Sequence, residues 1–435
     1  MGLGLLGRGV GDTEFLAECG AEIIVTDLKH ETELTESVDK LRKYANITFV
    51  LGGHRMEDFE DKDMVLVAAG VSVDSPYLAH ARKAGVRLVQ SAALFAELSK
   101  IPIIGVTGTR GKSTVTHIIH HVLEVVTGEP VILGGNIRGI SNLLLLKEVK
   151  EDSIAVMELD SWQLQGFGWM EISPHIAVFT NFMDDHLNYY HNDREAYFAD
   201  KANIFLYQEE SGTFITTPEV FEQAKKFASG KGITLGQEVA LADASTLPED
   251  IELSMPGEHN RLNAALAFEA LKATGLTEEE IADGIATFTG IPGRLEFLRE
   301  VKGVKIYNDN NATTPDATIA ALRALGSDPN ASHGQGENII LIMGGADKGL
   351  EMQKLIDAIP KYCKHVLFIP GTGTERVRNN IDGEQAETLE EAIRAGLATG
   401  KPGDILLFSP AFASFGMFKN EYDRNDQFVS LVEKL

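Results

Sequence analysis

Ten residues constrain this chain more than any others. They are Gly105 to Thr114, GVTGTRGKST, set between the apolar lead-in IPII and the segment VTHIIHHVLEVV. That order reads as strand, glycine loop and helix. Backbone amides of such a loop can cradle phosphates, and a helix N-terminus behind them favours negative charge. Gly108, Thr109, Arg110 and Gly111 would form the cradle. Lys112 would reach the terminal phosphates, and Ser113 or Thr114 would offer a hydroxyl to magnesium. A nucleoside triphosphate is the expected ligand, and a glycine turn without a ligand is the competing reading. The usual spacing puts its first glycine where this chain has Val106, so the loop is a variant.

A chain of 435 residues exceeds one ordinary core, so two or three domains are expected. Apolar strands alternate with helical patterns, which predicts an α/β fold built on mostly parallel sheets. The first segment opens MGLGLLGRGVG, continues through a helical stretch, and reaches EIIVTD, a strand ending in Asp27. This resembles the front of a nucleotide-binding α/β unit, with Asp27 near a ribose or base. A purely structural turn is the alternative, because only Met1 precedes the glycines. Further strands are read at 63–70 and 86–91.

The second segment carries the phosphate loop and the strands SIAVMEL, HIAVFTNF and GTFITT. The third carries VKIYND, ENIILIMGG, HVLFIPG and DILLFSP, each running into a glycine, proline or acidic turn. The expected division is 1–98, 99–292 and 293–435. The stretch 326–338 reads as a flexible surface loop.

Other classes are disfavoured. Net charge of −25 argues against a general nucleic-acid surface but leaves room for small anionic substrates. Cys19 and Cys363 form neither a CxxC pair nor a disulfide framework, which favours a reducing compartment. No apolar run has the length to span a bilayer, and the first residues lack a signal-peptide layout. A cytoplasmic enzyme without a transmembrane segment is expected.

Several side chains could do chemistry. Glu158 ends the strand after the phosphate-loop helix, where a carboxylate can hold magnesium. Asp160 lies two residues on. The next strand ends TNFMDDHLNYYH and brings Asn181, Asp184, Asp185, His186 and His191 close in sequence. Of these, His186 is the candidate ligand for a metal. Lys201 sits in the helical stretch DREAYFADKANIF. On its residues alone it reads first as a snorkelling surface lysine. Asn136 lies in the turn GGNIRG. His259, Asn260 and Asn263 open a helix, where Asn263 could reach a base or sugar. Arg294 and Asp309 flank the second boundary and suit nucleotide contacts that depend on closure. Lys348, Ser414 and Phe415 follow strands of the third segment and could receive a small anion.

Taken in order, TGTRGKST, GGNIRG, ELDSWQL, NFMDDHLNYY, ADKANIF, PGEHNRLNA, FTGIPGRLE, NDNNATT, GGADKG and SPAFASF resemble the Mur ligases of bacterial cell-wall synthesis. The resemblance covers essentially the whole chain. It lies nearest to members that join D-glutamate to UDP-N-acetylmuramoyl-L-alanine. It implies three α/β domains: a Rossmann-like first domain for the sugar nucleotide, a central P-loop ATPase domain, and a Rossmann-like third domain for the amino acid. Gly4, Gly7 and Asp27 would then face the uridine diphosphate, and Asn136 the sugar-peptide substrate. Asn263, Arg294 and Asp309 match positions around ATP. Lys348, Ser414 and Phe415 match positions lining the amino-acid site. Two magnesium ions are implied: one at Ser113 or Thr114 with Glu158, the other at His186 with a carbamylated Lys201. A monomeric enzyme is expected.

The chain departs from the family pattern in places. Pro292-Gly293-Arg294 lacks the histidine of PHR. In DNNATT, residues 309–314, Asn311 replaces a lysine and Thr314 an asparagine. Asp160 stands for a serine, Gly416 for an acid, and Asn425 for a glycine after Arg424. Two other readings keep parts of the pattern: a folylpolyglutamate-type ligase, and a P-loop regulatory switch that makes no product.

Overall fold

A computed structural model describes every residue except 6, 186–188, 252, 256 and 327–337. His186 and most of the expected loop 326–338 therefore lie outside the described residues. The chain packs as two compact units, Met1–Ile251 with Leu262–Ile285, and Glu252–Arg261 with Ala286–Leu435.

The first unit begins with two small parallel sheets. Ile23–Asp27 pairs with Ile47–Leu51, and Met64–Leu66 pairs with Arg87–Val89. Residues 1 and 2 bridge them without forming a strand. The Met1 amine donates to Leu66 O at 2.9 Å, Gly2 N to Thr26 O at 2.8 Å, and Ala68 N to Met1 O at 3.0 Å. The glycine loop then leads into the helix Arg8–Glu18.

The same unit holds a six-stranded sheet. Its order is Glu238–Leu241, Thr213–Thr216, Ile176–Phe179, Ile103–Thr107, Ala155–Glu158, Ile132–Gly135, with every pairing parallel. Ile103–Thr107 is buried along its whole length, as its apolar run requires of a strand covered on both faces. The chain passes to one side of this strand for 132–135 and 155–158, then to the other for 176–179. Its carboxyl end is thus a topological switch point, where a parallel sheet leaves a crevice. The helix Lys112–Thr127 buries Val115, Ile118, Ile119, Val122 and Leu123, a stripe at helical spacing. An aromatic cluster of Phe167, Phe179, Phe182, Tyr197, Phe198, Phe205 and Phe214 fills the opposite face and seats the helix Arg194–Ala202.

The second unit is one mixed sheet. Its order is Glu296–Val301, Val304–Asn308, Ile405–Phe408, Ile339–Met343, Cys363–Phe368, Glu384–Gln385, and only the first pairing is antiparallel. Period-two alternation divides the core cleanly. Ile339, Leu341 and Met343 pack with Ile319, Leu322, Leu355 and Ile359 from the helices Pro315–Leu325 and Gln353–Tyr362. Ile340 and Ile342 face Leu389, Ile393, Phe428 and Val432 from the helices Leu389–Thr399 and Glu421–Glu433.

Candidate active site

The phosphate loop hangs from the carboxyl end of Ile103–Thr107, and two of its glycines are sterically required. Gly108 has φ 144°, and a Cβ there would lie 1.9 Å from Thr180 Oγ1. Gly111 has φ 83°, and its Cβ would lie 2.3 Å from Asn263 Oδ1. Asn263, buried on the helix Glu258–Lys272, is therefore pressed against the loop. The neighbouring strand end laces the loop in place. Thr109 N donates to Asn181 O at 2.9 Å, Arg110 N to Asn181 Oδ1 at 2.9 Å, and Asn181 Nδ2 to Arg110 O at 3.1 Å. Asn181 is thus a framework residue.

Two lysines converge on one carbonyl. Lys112 Nζ lies 3.1 Å from Gly108 O and 3.3 Å from Thr109 O. Lys201 Nζ donates to the same Gly108 O at 2.8 Å and lies 3.4 Å from Thr107 Oγ1. The snorkelling reading of Lys201 fails, since the residue is 1% exposed. Its helix ends in the aromatic cluster, so the stem has no path to solvent. Burial first, then the Lys112 charge, pushes the Lys201 amine well below its ordinary value, despite Asp160 and Asp185 nearby. A lysine whose charged form is disfavoured in this way is the readier nucleophile.

Glu158 ends the strand next to the loop and is 5% exposed. Asn136 comes against it from Ile132–Gly135: Asn136 N donates to Glu158 O at 2.7 Å, and Nδ2 lies 3.4 Å from Oε1. Asp160 caps the helix Ser161–Met170 by accepting from Gln163 N at 2.8 Å. Serine and aspartate both cap helices, so this departure preserves the local chemistry. Asp185 pairs with Arg110 at 2.7 Å and Asp184 with Arg194 at 2.8 Å, while exposed His191 lies 3.4 Å from Asp74. Thr114 is buried at the start of the loop helix and Ser113 is half-buried beside it.

In the N-terminal part, Gly4 and Gly7 both take positive φ, 71° and 84°. The Asp27 carboxylate accepts from Gly4 N at 3.1 Å and from Lys29 N at 2.9 Å. Asp27 thus fixes the glycine loop to the end of its strand.

In the second unit, three loops at strand ends meet. Ala346 and Ala413 exchange backbone bonds, which sets GGADKG beside SPAFASF. Lys348 Nζ reaches Thr313 Oγ1 at 2.9 Å, which joins DNNATT to them. Ser414 is buried and Phe415 is exposed. Asp309 accepts from Ser409 Oγ at 2.8 Å and Leu295 N at 3.2 Å. Burial pushes its carboxyl up to about 7, against the pull of these bonds and of half-buried Arg294. Three departures from the family pattern also meet. Asn311 N donates to Gly293 O at 2.9 Å, and a Cβ on Gly293 would lie 2.9 Å from Asn425 Oδ1 and 3.2 Å from Asn311 Nδ2. Behind these loops sits Arg424, fully buried, donating to Asn310 Oδ1 at 2.8 Å, Asn310 O at 2.9 Å and Phe412 O at 3.1 Å. Sequence reasoning gave no role to Arg424, Thr313 or Arg8. Thr313 lies within DNNATT, Arg424 just before the departure at Asn425, and Arg8 within the opening glycine run.

Three family models match in chain order: a Mur ligase MurD-like N-terminal domain over residues 1–90, a Mur ligase middle domain over 106–271, and a Mur ligase glutamate ligase domain over 293–412. The chain belongs to the Mur ligase family. Its three-domain α/β architecture is that of the family. This Mur ligase is 36% identical to a UDP-N-acetylmuramoylalanine–D-glutamate ligase of Roseiflexus sp. (strain RS-1), across 100% of this chain and 97% of the relative. It is 34% identical to the protein of the same name from Borreliella afzelii (strain PKo), with the same coverage. Among solved structures it resembles the MurF ligase of Thermotoga maritima in complex with ADP. There the TM-score is 0.57 at 16% identity, over 87% of this chain and 96% of that one.

Proposed function

We propose that this Mur ligase joins D-glutamate to UDP-N-acetylmuramoyl-L-alanine in peptidoglycan precursor synthesis, cleaving ATP to ADP and phosphate. The observation that carries the reading is the buried Lys201 amine on the Gly108 carbonyl, inside a chain alike over its full length to ligases of that name. The proposed division is 1–98 for the sugar nucleotide, 99–292 for ATP and 293–435 for the amino acid. The reaction runs in the cytoplasm on a monomer; no described helix is long and apolar enough to cross a membrane.

The carboxylate of the sugar-peptide attacks the γ-phosphorus of ATP and ADP departs. The acyl phosphate so formed carries a good leaving group. The glutamate amine attacks the acyl carbon, a tetrahedral intermediate forms and loses a proton, and phosphate leaves as the amide forms. Gly108 to Gly111 bind the phosphates through backbone amides, and Lys112 holds the transferring group. Asn263, Arg294 and Asp309 contact the nucleotide. Gly4, Gly7, Asp27 and Asn136 receive the sugar nucleotide. Lys348, Ser414 and Phe415 line the amino-acid site, with the ammonium of Lys348 and the hydroxyl of Ser414 facing the glutamate carboxylate.

The donor set fits magnesium. Among the described residues no group of three His, Cys, Asp or Glu could hold a metal, but hydroxyls and a buried carboxylate are the hard oxygen donors that magnesium takes. The Glu158 carboxylate is met among the described residues by a long 3.4 Å amide contact, which leaves it open to a cation. Ser113 or Thr114 with Glu158 would hold one ion, and His186 with carbamylated Lys201 the other. Bound magnesium would neutralise charge on the phosphate oxygens. Carbamylation suits Lys201: its uncharged nitrogen attacks carbon dioxide, an N–C bond forms, and a proton leaves.

A folylpolyglutamate-type ligase would share this chemistry, but the full-length likeness at 34–36% identity runs to D-glutamate ligases. The test supplies ATP, magnesium and UDP-N-acetylmuramoyl-L-alanine and compares phosphate release and product mass across L- and D-amino acids. Amide product with D-glutamate in clear preference is expected. Equal use of an uncharged D-amino acid would overturn the assignment.

A further inference from the structure

We propose that Arg8 is a positioning residue for the Glu158 carboxylate, acting through the side-chain amide of Asn136. The proposal rests on the reading of Glu158 as a magnesium-holding group. Arg8 Nη1 lies 2.9 Å from Asn136 Oδ1, and Asn136 Nδ2 lies 3.4 Å from Glu158 Oε1. A guanidinium offers donors alone, so it fixes which end of the amide faces it. With the oxygen held by Arg8, the NH2 group must face Glu158. Loss of Arg8 would leave that oxygen unheld and the Asn136 side chain free to swing away from the carboxylate.

The backbone beneath Asn136 has no freedom to compensate. Asn136 N donates to Glu158 O at 2.7 Å, and Gly135 N donates to Asn142 Oδ1 at 2.7 Å. A Cβ on Gly135 would lie 2.0 Å from Glu158 O. What stays adjustable is the Asn136 side chain, and Arg8 takes that adjustment.

Arg8 is itself held in register. It is the first residue of the helix Arg8–Glu18, directly after the glycine loop. One face of that helix is fastened to the segment after Asn136. Asp12 Oδ1 accepts from Ser141 Oγ at 2.6 Å and Leu143 N at 3.2 Å, and Glu18 pairs with Lys147. Gly11 approaches so closely that a Cβ would lie 2.5 Å from Ser141 Cβ. Among the described residues Arg8 Nε is buried without a hydrogen-bond partner, so the guanidinium is committed to this site through Nη1. The geometry thus makes a three-residue relay, Arg8 to Asn136 to Glu158, from the start of the helix Arg8–Glu18 to the end of the strand Ala155–Glu158.

The test compares Arg8→Met, Arg8→Lys, Asn136→Ala and the double variant Arg8→Met/Asn136→Ala. Two quantities are read: the magnesium concentration at half-maximal turnover, and the magnesium dependence of ADP binding by calorimetry. Arg8→Met should raise both by about tenfold, the usual cost of losing a group that orients a metal ligand. Arg8→Lys keeps a donor and should stay within about threefold. The double variant should be no worse than Asn136→Ala alone, because the relay is already cut. Should Arg8→Met fail to fold, Arg8→Lys against Asn136→Ala still measures the effect. An Arg8 effect that multiplies in full on top of Asn136→Ala would overturn the relay, as would a lowered melting temperature with unchanged magnesium dependence. If Glu158→Gln also leaves magnesium dependence unchanged, the reading of Glu158 fails first, and the relay falls with it.

Discussion

Asp309 should make the second unit less stable as pH rises through neutrality. Its carboxyl is buried behind Leu295 and Ser409 and is pushed up from 3.8 to about 7. Below pH 3.8 the group is protonated whether folded or unfolded. Between about 4 and 7 the folded form keeps a proton that the unfolded chain has lost. Stability therefore falls across that window and levels off above it. The rise to about 7 corresponds to about 4 kcal/mol in total. Asp309→Asn removes the titration and keeps the bonding: Oδ1 still accepts from Leu295 N, and Ser409 Oγ can accept from the new amide while donating to Thr318 Oγ1, 2.9 Å away. Scanning calorimetry of wild type and variant at pH 5, 6, 7 and 8 is the assay. The variant should gain steadily, melting about 10 °C above wild type at pH 8, since a unit of this size moves about 2–4 °C per kcal/mol. The nucleotide contact assigned to Asp309 should be lost with it, so the more stable variant should be the poorer enzyme. A gap between the two proteins that does not change with pH would refute the argument.

Three further outcomes are expected. Lys112→Ala should fold normally and lose activity by about a hundredfold or more, as for other losses of transition-state charge stabilisation; near-normal product formation by a folded variant would sink the assignment. Lys201→Ala should be nearly inactive, and acetate should restore part of its turnover by standing in for the missing carbamate; carbon-13 spectroscopy of the wild-type protein under labelled carbon dioxide should show the carbamate carbon, and no such signal in the active enzyme would count against the modification. Lys348→Ala should raise the KM for D-glutamate by about tenfold, the cost of one charge-assisted hydrogen bond, with the KM for ATP nearly constant; an unchanged glutamate dependence would overturn the role assigned to Lys348.

The buried strands were legible in the sequence because both faces of each are covered, which makes the apolar run continuous. Ile103–Thr107, Ile176–Phe179, Ile339–Met343 and Ile405–Phe408 all stand out for this reason. The strands that gave no signal lie at sheet edges, among them Ile47–Leu51 of a two-stranded sheet. Glu238–Leu241, Ile132–Gly135, Glu296–Val301 and Glu384–Gln385 each close one side of a sheet, and three of the four expose charged residues there. The helix at Lys201 was read too long. It stops at Ala202, where Asn203 turns its side chain to Leu164 O at 3.1 Å and the following residues fold into turns. Burial of Lys201 could not be read locally, because its partners Thr107 and Gly108 lie 94 and 93 residues away. Arg8 escaped for a related reason: its partner Asn136 is 128 residues away.

The meeting of Gly293, Asn311 and Asn425 bears on how this enzyme can be rewritten. Restoring the histidine of the family pattern at 293 alone would demand a left-handed backbone, φ 73°, from a residue with a side chain. It would also drive a Cβ to 2.9 Å from Asn425 Oδ1. Restoring a lysine at 311 alone would remove the amide that reaches Pro292 O at 3.2 Å. The three positions therefore form one unit of exchange. Grafting residues 292–294, 309–314 and 424–425 together from a relative should yield an active hybrid where each single replacement fails, so this corner of the protein can be exchanged only as a block.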